Sequence, residues 1–153
     1  MYPMLPTVPP FLPTKFTSVY VSPWLGGYNI VSDGGRLYTD RGKDVSCLRK
    51  ILVRRGVQVP ESGFPLHLEF LPLDDKSKLL SLNTFLKQPD RAHYIQIVIV
   101  DVMIPELPFE KRFDRVQRIA SSLRPQYLRE SDYCDVMNWS NINKFHDSFE
   151  RSG

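Results

Sequence analysis

Three polar side chains in apolar surroundings are of the types that carry acid–base or metal chemistry. His67 and Glu69 are two residues apart in a strand-like segment, so their side chains point to the same face. Asp101 lies between Val100 and Val102, where an unpaired carboxylate is costly to bury. Together these groups could bind a divalent metal or act as an acid–base pair. The alternative is a solvated polar face with an aspartate paired to an arginine.

The residues that would complete a known catalytic motif are absent from the sequence. The His-x-Glu of zinc deaminases lacks its Pro-Cys-x-x-Cys partner, and Leu71 stands where a metal nuclease has the lysine of Glu-x-Lys. Neither GxGxxG nor GxxxxGK[ST] occurs, so no phosphate loop is encoded. We therefore predict no catalytic residue, no metal site and no cofactor.

Basic residues are concentrated in two segments, although the net charge of the chain is only +3. One segment lies between Arg41 and Gly56, and the other between Lys111 and Arg124. Such clusters indicate a positive surface for an anionic partner, or else two solvated helix faces. The predicted anion-binding residues are Lys43, Lys50, Arg54, Lys111, Arg115 and Arg118.

Hydrophobic periodicity predicts the elements that would position these residues. Strands are expected over 15–21, 28–31, 36–39, 65–71 and 93–104, and helices over 44–55, from Asp74 or Asp75 to Pro89, from Phe109 to before Pro125, and over 137–149. Strand, helix and strand between Pro65 and Ile104 have the order of a crossover unit. The predicted fold is α+β, a mixed sheet with packed helices in a single domain over 15–153, preceded by a disordered proline-rich arm over 1–14.

Composition fits a soluble globular protein. Of the 153 residues, 42% are hydrophobic and 24% are charged. No apolar run approaches the roughly 20 residues that span a bilayer. The first residues do not have the pattern of a signal peptide, so we expect no export by that route. Cys47 and Cys134 are expected to be free, buried thiols in a cytosolic or nuclear protein.

The N-terminal arm carries two short motifs. Its prolines fix φ and remove backbone donors, which favours an extended segment available for docking. Tyr2-Pro3-Met4-Leu5 fits the Tyr-Pro-x-Leu pattern of viral late-budding motifs. Pro6-Thr7-Val8-Pro9 is a one-residue variant of the Pro-Thr-Ala-Pro type. The alternative is a terminus with no binding role.

The arm, the α/β body and the basic helices together make the chain resemble a small matrix protein of a negative-strand RNA virus, of the rhabdovirus type. Such proteins self-assemble, coat nucleocapsids and bind anionic membrane. The resemblance implies that Tyr2, Pro3 and Leu5 dock host budding machinery, with Pro6, Thr7 and Pro9 as a second site. It also implies a location in the virion and in the host cytoplasm, at the inner membrane surface or in the nucleus.

These observations favour a non-enzymatic viral structural protein that binds an anionic membrane, RNA or a nucleocapsid. A nucleic-acid-binding accessory protein is the first alternative, such as a suppressor of host defence that uses Lys50, Arg54, Arg115 and Arg118 on phosphates. A metal-dependent hydrolase built on His67, Glu69 and Asp101 is the second.

Overall fold

The computed structural model of the chain describes residues 19–21, 26–122, 128–130 and 134–136. The chain divides into two compact units, one of Met1–Met4 with Gly27–Glu130 and the other of Leu5–Gly26 with Ser131–Gly153. In the second unit, strands β1 (Val19–Val21) and β7 (Cys134–Val136) pair antiparallel. The arm over 1–14 and the helix predicted over 137–149 lie outside the described residues, and the single domain over 15–153 stays a prediction.

The described part of the larger unit contains one sheet and the helices that pack on it. In chain order its elements are β2 (Tyr28–Asp33), β3 (Arg36–Thr39), α1 (Cys47–Arg54), β4 (Leu66–Leu73), α2 (Leu82–Lys87), a 3-10 helix (Pro89–Arg91), β5 (Tyr94–Val102), α3 (Phe109–Ser122) and β6 (Leu128–Glu130). The strand order is β3-β2-β4-β5-β6; the first four strands are antiparallel and β6 is parallel to β5. The predicted α+β class is confirmed.

β4 and β5 do not form the parallel pair that a crossover unit would require. They are antiparallel, and Leu73 at the end of β4 is the partner of Tyr94 at the start of β5. The backbone N–H of His93 donates to the carbonyl of Leu73 at 2.9 Å. The start of β5 therefore lies beside the end of β4. The segment with α2 is therefore the long loop of a hairpin.

The tight turn between β2 and β3 lies at two glycines, between the strands predicted over 28–31 and 36–39. Gly34 and Gly35 have φ values of 56° and 84°, in the left-handed region that favours glycine. Asp33 pairs with Arg36 directly across them, which gives a two-residue hairpin turn. The predicted hairpin is confirmed.

Two helices start later than their sequence patterns predict, because an aspartate caps a turn instead of the helix. The Asp74 carboxylate accepts from the backbone N–H groups of Lys76 and Lys78, each at 2.9 Å, and α2 begins only after Ser81. Asp44 likewise accepts from the N–H of Ser46 at 2.8 Å, just before α1. Local side-chain hydrogen bonds of this kind compete with helix initiation.

The largest hydrophobic cluster lies on one face of the sheet, and the three α-helices of the described residues pack on that face. Alternate residues of β4 and β5, among them Leu68 and Ile97, belong to the same buried cluster as residues from each helix. The helical members of this cluster are Leu48 and Leu52 from α1, Phe85 from α2, and Val116 and Ala120 from α3. Because strand side chains alternate between faces, α1 and α3 must lie on the same side of the sheet.

Ile97→Ala should destabilise the protein by about 2–4 kcal/mol, the usual cost of a large-to-small change in a packed core. Ile97 is 2% exposed and lies in the core, whereas Val100 beside the β-bulge is only partly buried. Val100→Ala should therefore cost clearly less, although the apolar pattern of β5 alone predicts similar costs at both. Urea unfolding of the two variants measures this, and equal losses would contradict the difference in packing.

Candidate anion-binding site

His67 and Asp101 are brought together as cross-strand partners on β4 and β5, but each side chain has a hydrogen-bond partner of its own. His67 is only 4% exposed, and its Nε2 lies 2.8 Å from Oδ1 of Asn29 on β2. Burial lowers the pKa of His67 to about 4, although the negative charge of Asp40 acts in the opposite direction. The imidazole is therefore neutral near pH 7, with Nε2–H donating to Asn29.

Asp101 anchors the start of α3. Its Oδ1 accepts from Nε of Arg112 at 3.0 Å, and both side chains are mostly buried. Arg112 also donates from Nη1 to the carbonyl of Leu107 at 2.6 Å, and its guanidinium lies 5.9 Å from the ring centre of Phe109. Burial raises the pKa of Asp101 more than the positive charge of Arg112 lowers it. The structure thus agrees with the sequence alternative of an aspartate paired to an arginine.

Glu69 holds the start of β2. Its Oε1 accepts from the backbone N–H of Gly27 at 2.8 Å. A Cβ on Gly27 would come within 3 Å of Glu69, Leu71 and the carbonyl of Phe70, so only glycine allows this close approach. Among the described residues, no three His, Cys, Asp or Glu side chains are grouped so as to hold a metal ion. Each of the three polar strand residues thus has a structural role.

The predicted basic residues lie on the exposed sides of α1 and α3, with one exception. Lys50 and Arg54 are exposed on α1, whose sequence contains no acidic residue. Lys43 is also exposed, but it lies in the turn before the helix, where its N–H bonds to Thr39. Lys43 therefore does not share a helix face with Lys50 and Arg54, because α1 begins only at Cys47.

The predicted anion-binding residues of α3 are exposed along the helix. Lys111, Arg115 and Arg118 are at spacings of four and three residues, which places them on neighbouring turns. Arg118 pairs with Asp114 at 2.9 Å, but the side chains are 78% and 55% exposed, so the pair holds the arginine only weakly. Among the described residues Arg115 forms no ion pair, and its guanidinium lies 5.4 Å from the ring centre of Phe64.

A groove lies between α3 and the loop that follows α1. Its volume is about 240 Å³. It is lined by Ser62, Gly63, Phe64, Val102, Arg115, Arg118 and Ile119. Phe64 is 46% exposed, one of four large hydrophobic side chains that are exposed among the described residues. The sequence pattern indicates only a loop over residues 57–64; the signal that could have identified Phe64 is an aromatic residue between Gly63 and Pro65, outside any strand or helix.

The same loop contacts both basic helices. Glu61 forms an ion pair with Arg49 of α1, and Phe64 contacts Arg115 of α3. The Nε and Nη2 atoms of Arg49 are buried and have no hydrogen-bond partner in the described part of the chain. The loop therefore links the two helices on the side of the sheet that they share.

Two further sequence predictions concern Cys47 and the docking motifs of the N-terminal arm. Cys47 is free but exposed, at the first position of α1, so the prediction of a buried thiol is wrong for it. The apolar stripe of α1 passes through Leu48 and Leu52 instead. The docking motifs of the arm, with Tyr2, Pro3, Leu5, Pro6, Thr7 and Pro9, lie outside the described residues, and their role stays a prediction.

The chain matches no protein-family model, and comparison with curated protein sequences finds no similar relative. Within the ranges that the structure describes, no helix has the length and hydrophobicity needed to cross a bilayer.

Proposed function

We propose that the chain is a non-enzymatic, matrix-like protein that binds an anionic partner through a basic surface formed by α1, α3 and the loop between them. The supporting observation is that both helices pack on one side of the sheet through their apolar faces, which leaves Lys50, Arg54, Arg115 and Arg118 exposed. Exposed cations attract phosphate-bearing partners, by Coulomb attraction and by release of counterions. The arm motifs would recruit budding machinery separately from this surface.

The non-enzymatic part of the proposal is supported by the contacts of the polar strand residues. His67 is bonded to Asn29, Asp101 to Arg112, and Glu69 to the N–H of Gly27. A catalytic acid or base needs access to substrate, and these groups are turned to partners within the sheet and α3. A metal-dependent hydrolase is therefore not favoured.

Charge reversal tests the basic surface. Changing Lys50, Arg54, Arg115 and Arg118 together to Glu should abolish binding to anionic liposomes and to RNA at physiological ionic strength, because attraction becomes repulsion. On single-stranded RNA the slope of log affinity against log salt should become shallower by about 0.7 for each phosphate that the protein no longer neutralises. Liposome co-sedimentation and fluorescence anisotropy across a salt series measure both effects.

A matched control changes Lys76, Lys78, Lys87 and Arg91 to Glu. These residues are also exposed but lie in the α2 segment, and their reversal alters the net charge by the same amount. The control should keep most of the binding, and circular dichroism should show both variants folded. Equal losses in the two variants would mean that net charge, not this surface, governs binding; unchanged binding in the first would contradict the proposal.

A further inference from the structure

The groove beside α3 combines an apolar interior with positive charge at its edge. Val102 is 1% exposed and belongs to the core cluster, and Ile119 packs against that cluster. Phe64 supplies an aromatic ring, while Arg115 and Arg118 supply guanidinium groups. A ligand suited to this groove has a flat, weakly polar part and an attached negative charge.

The loop side of the groove is held in a defined shape. The Ser62 hydroxyl accepts from the N–H of Phe64 at 3.0 Å and donates to its carbonyl at 2.8 Å. Gly63 presents no side chain, and a Cβ built on it would meet nothing within 4 Å. The Phe64 ring is thus presented by a fixed turn with open space beside it.

The size of the groove limits the ligand to one small group. Its volume of about 240 Å³ is below the roughly 300–1,000 Å³ of pockets that enclose whole cofactors or drug-sized ligands. A nucleobase is a flat group of suitable size, and every base presents a π-face that can stack on an aromatic ring. A duplex could not offer such a base, because its bases are already stacked and paired.

We propose that this groove holds one nucleotide of a single-stranded RNA, with its base against Phe64 and its adjoining phosphates on Arg115 and Arg118. This inference rests on the proposed function, because it names the anionic partner and one point of contact on the basic surface. Arginine is suited to such a site, since its planar guanidinium can both bind phosphate with two N–H groups and stack on an aromatic face. A bilayer surface would contact exposed lysines and arginines without filling a recess, so the groove favours RNA.

The test uses the full chain and three fluorescent probes: a single-stranded oligoadenylate, the same strand in a duplex with oligouridylate, and an abasic strand of equal length. Phe64→Ala should weaken binding of the oligoadenylate by between about 5-fold and 150-fold, the range for loss of one base–aromatic stack. Phe64→Trp should keep wild-type affinity. Neither change should alter binding of the abasic strand, which has the phosphates but no base to stack.

A second variant adds bulk instead of removing it. Gly63→Leu should weaken oligoadenylate binding without loss of thermal stability, since Gly63 is outside the left-handed region and has free space around it. Binding to anionic liposomes should be unaffected by Phe64→Ala and by Gly63→Leu.

The outcomes separate this inference from the proposed function. If Phe64→Ala leaves oligoadenylate affinity unchanged, if it weakens duplex binding as much as oligoadenylate binding, or if the abasic strand binds as well as the oligoadenylate, the nucleotide site is contradicted while the basic surface stands. Binding of the wild type to liposomes but to no RNA would likewise contradict the nucleotide site alone. Failure of the wild type to bind any of these probes or liposomes would overturn both.

Discussion

Phe85→Ala should lower the free energy of unfolding by about 3–5 kcal/mol, the range for removal of a buried phenylalanine side chain. Phe85 is fully buried, and its ring packs edge-to-face on Phe70 with ring centres 5.2 Å apart. It is also the buried residue of α2, a helix of six residues. Because a helix of this length is not stable in isolation, α2 depends on the packing of Phe85 for its stability.

Urea unfolding followed by circular dichroism measures the loss. Leu79→Ala is the control, because Leu79 precedes α2 but is 38% exposed; its cost should be clearly smaller, since it buries less apolar surface. Phe85→Leu should fall between the two, since it removes less volume. A cost near zero for Phe85→Ala would show that α2 does not pack on the sheet through this ring.

Acidification should destabilise the protein through His67, by about 3 kcal/mol between pH 6.5 and pH 4. The pKa of His67 falls from 6.5 to about 4 on folding because the ring is buried. Well above pH 6.5 the histidine is neutral in both states, so it makes no pH-dependent contribution there. As the pH falls below 6.5 the unfolded chain binds a proton that the folded protein does not, so stability declines until about pH 4, where the folded state is protonated too.

His67→Gln isolates this contribution. The glutamine amide can donate to Asn29 in place of Nε2–H, but it does not titrate. The difference in unfolding free energy between wild type and variant should therefore change with pH over this interval, while the contribution of Asp101, whose raised pKa acts in the opposite direction, cancels. His93→Gln, the same substitution at an exposed histidine, is the control for the chemical change itself. Parallel curves for wild type and His67→Gln would contradict the assignment.

Most of the elements could be predicted from the sequence because their signals are local. Gly34 and Gly35 adopt positive φ in the hairpin turn, and Gly56, with φ of 75°, follows the end of α1. β4 and β5 occupy the segments that alternating and continuous apolar residues predict. Each of these features depends on residues only a few positions apart, whose backbone preferences can be read locally.

The starts of α1 and α2 were mispredicted although their apolar stripes were identified. Asp44 and Asp74 are good N-cap residues in type, yet both cap turns that precede the helices. A residue type alone does not distinguish an aspartate that caps a helix from one that caps a turn, since both accept from N–H groups two to four residues ahead. Ser46 and Ser81 stand at the true starts.

For the candidate site, the sequence determined the basic residues of α1 and α3 and their spacing along each helix. It could not determine that the two helices share one side of the sheet, that Arg112 faces Asp101, that His67 is buried, or that Phe64 lies beside Arg115. The antiparallel return of β5 was likewise decided by the tertiary structure. The Asp101–Arg112 and Phe64–Arg115 contacts join residues 11 and 51 positions apart, and the two helices are further apart still. Such relations arise because the apolar faces of separate elements must be buried together. The charge pattern of a helix is a local property, but the surface it forms with another helix depends on how the core packs.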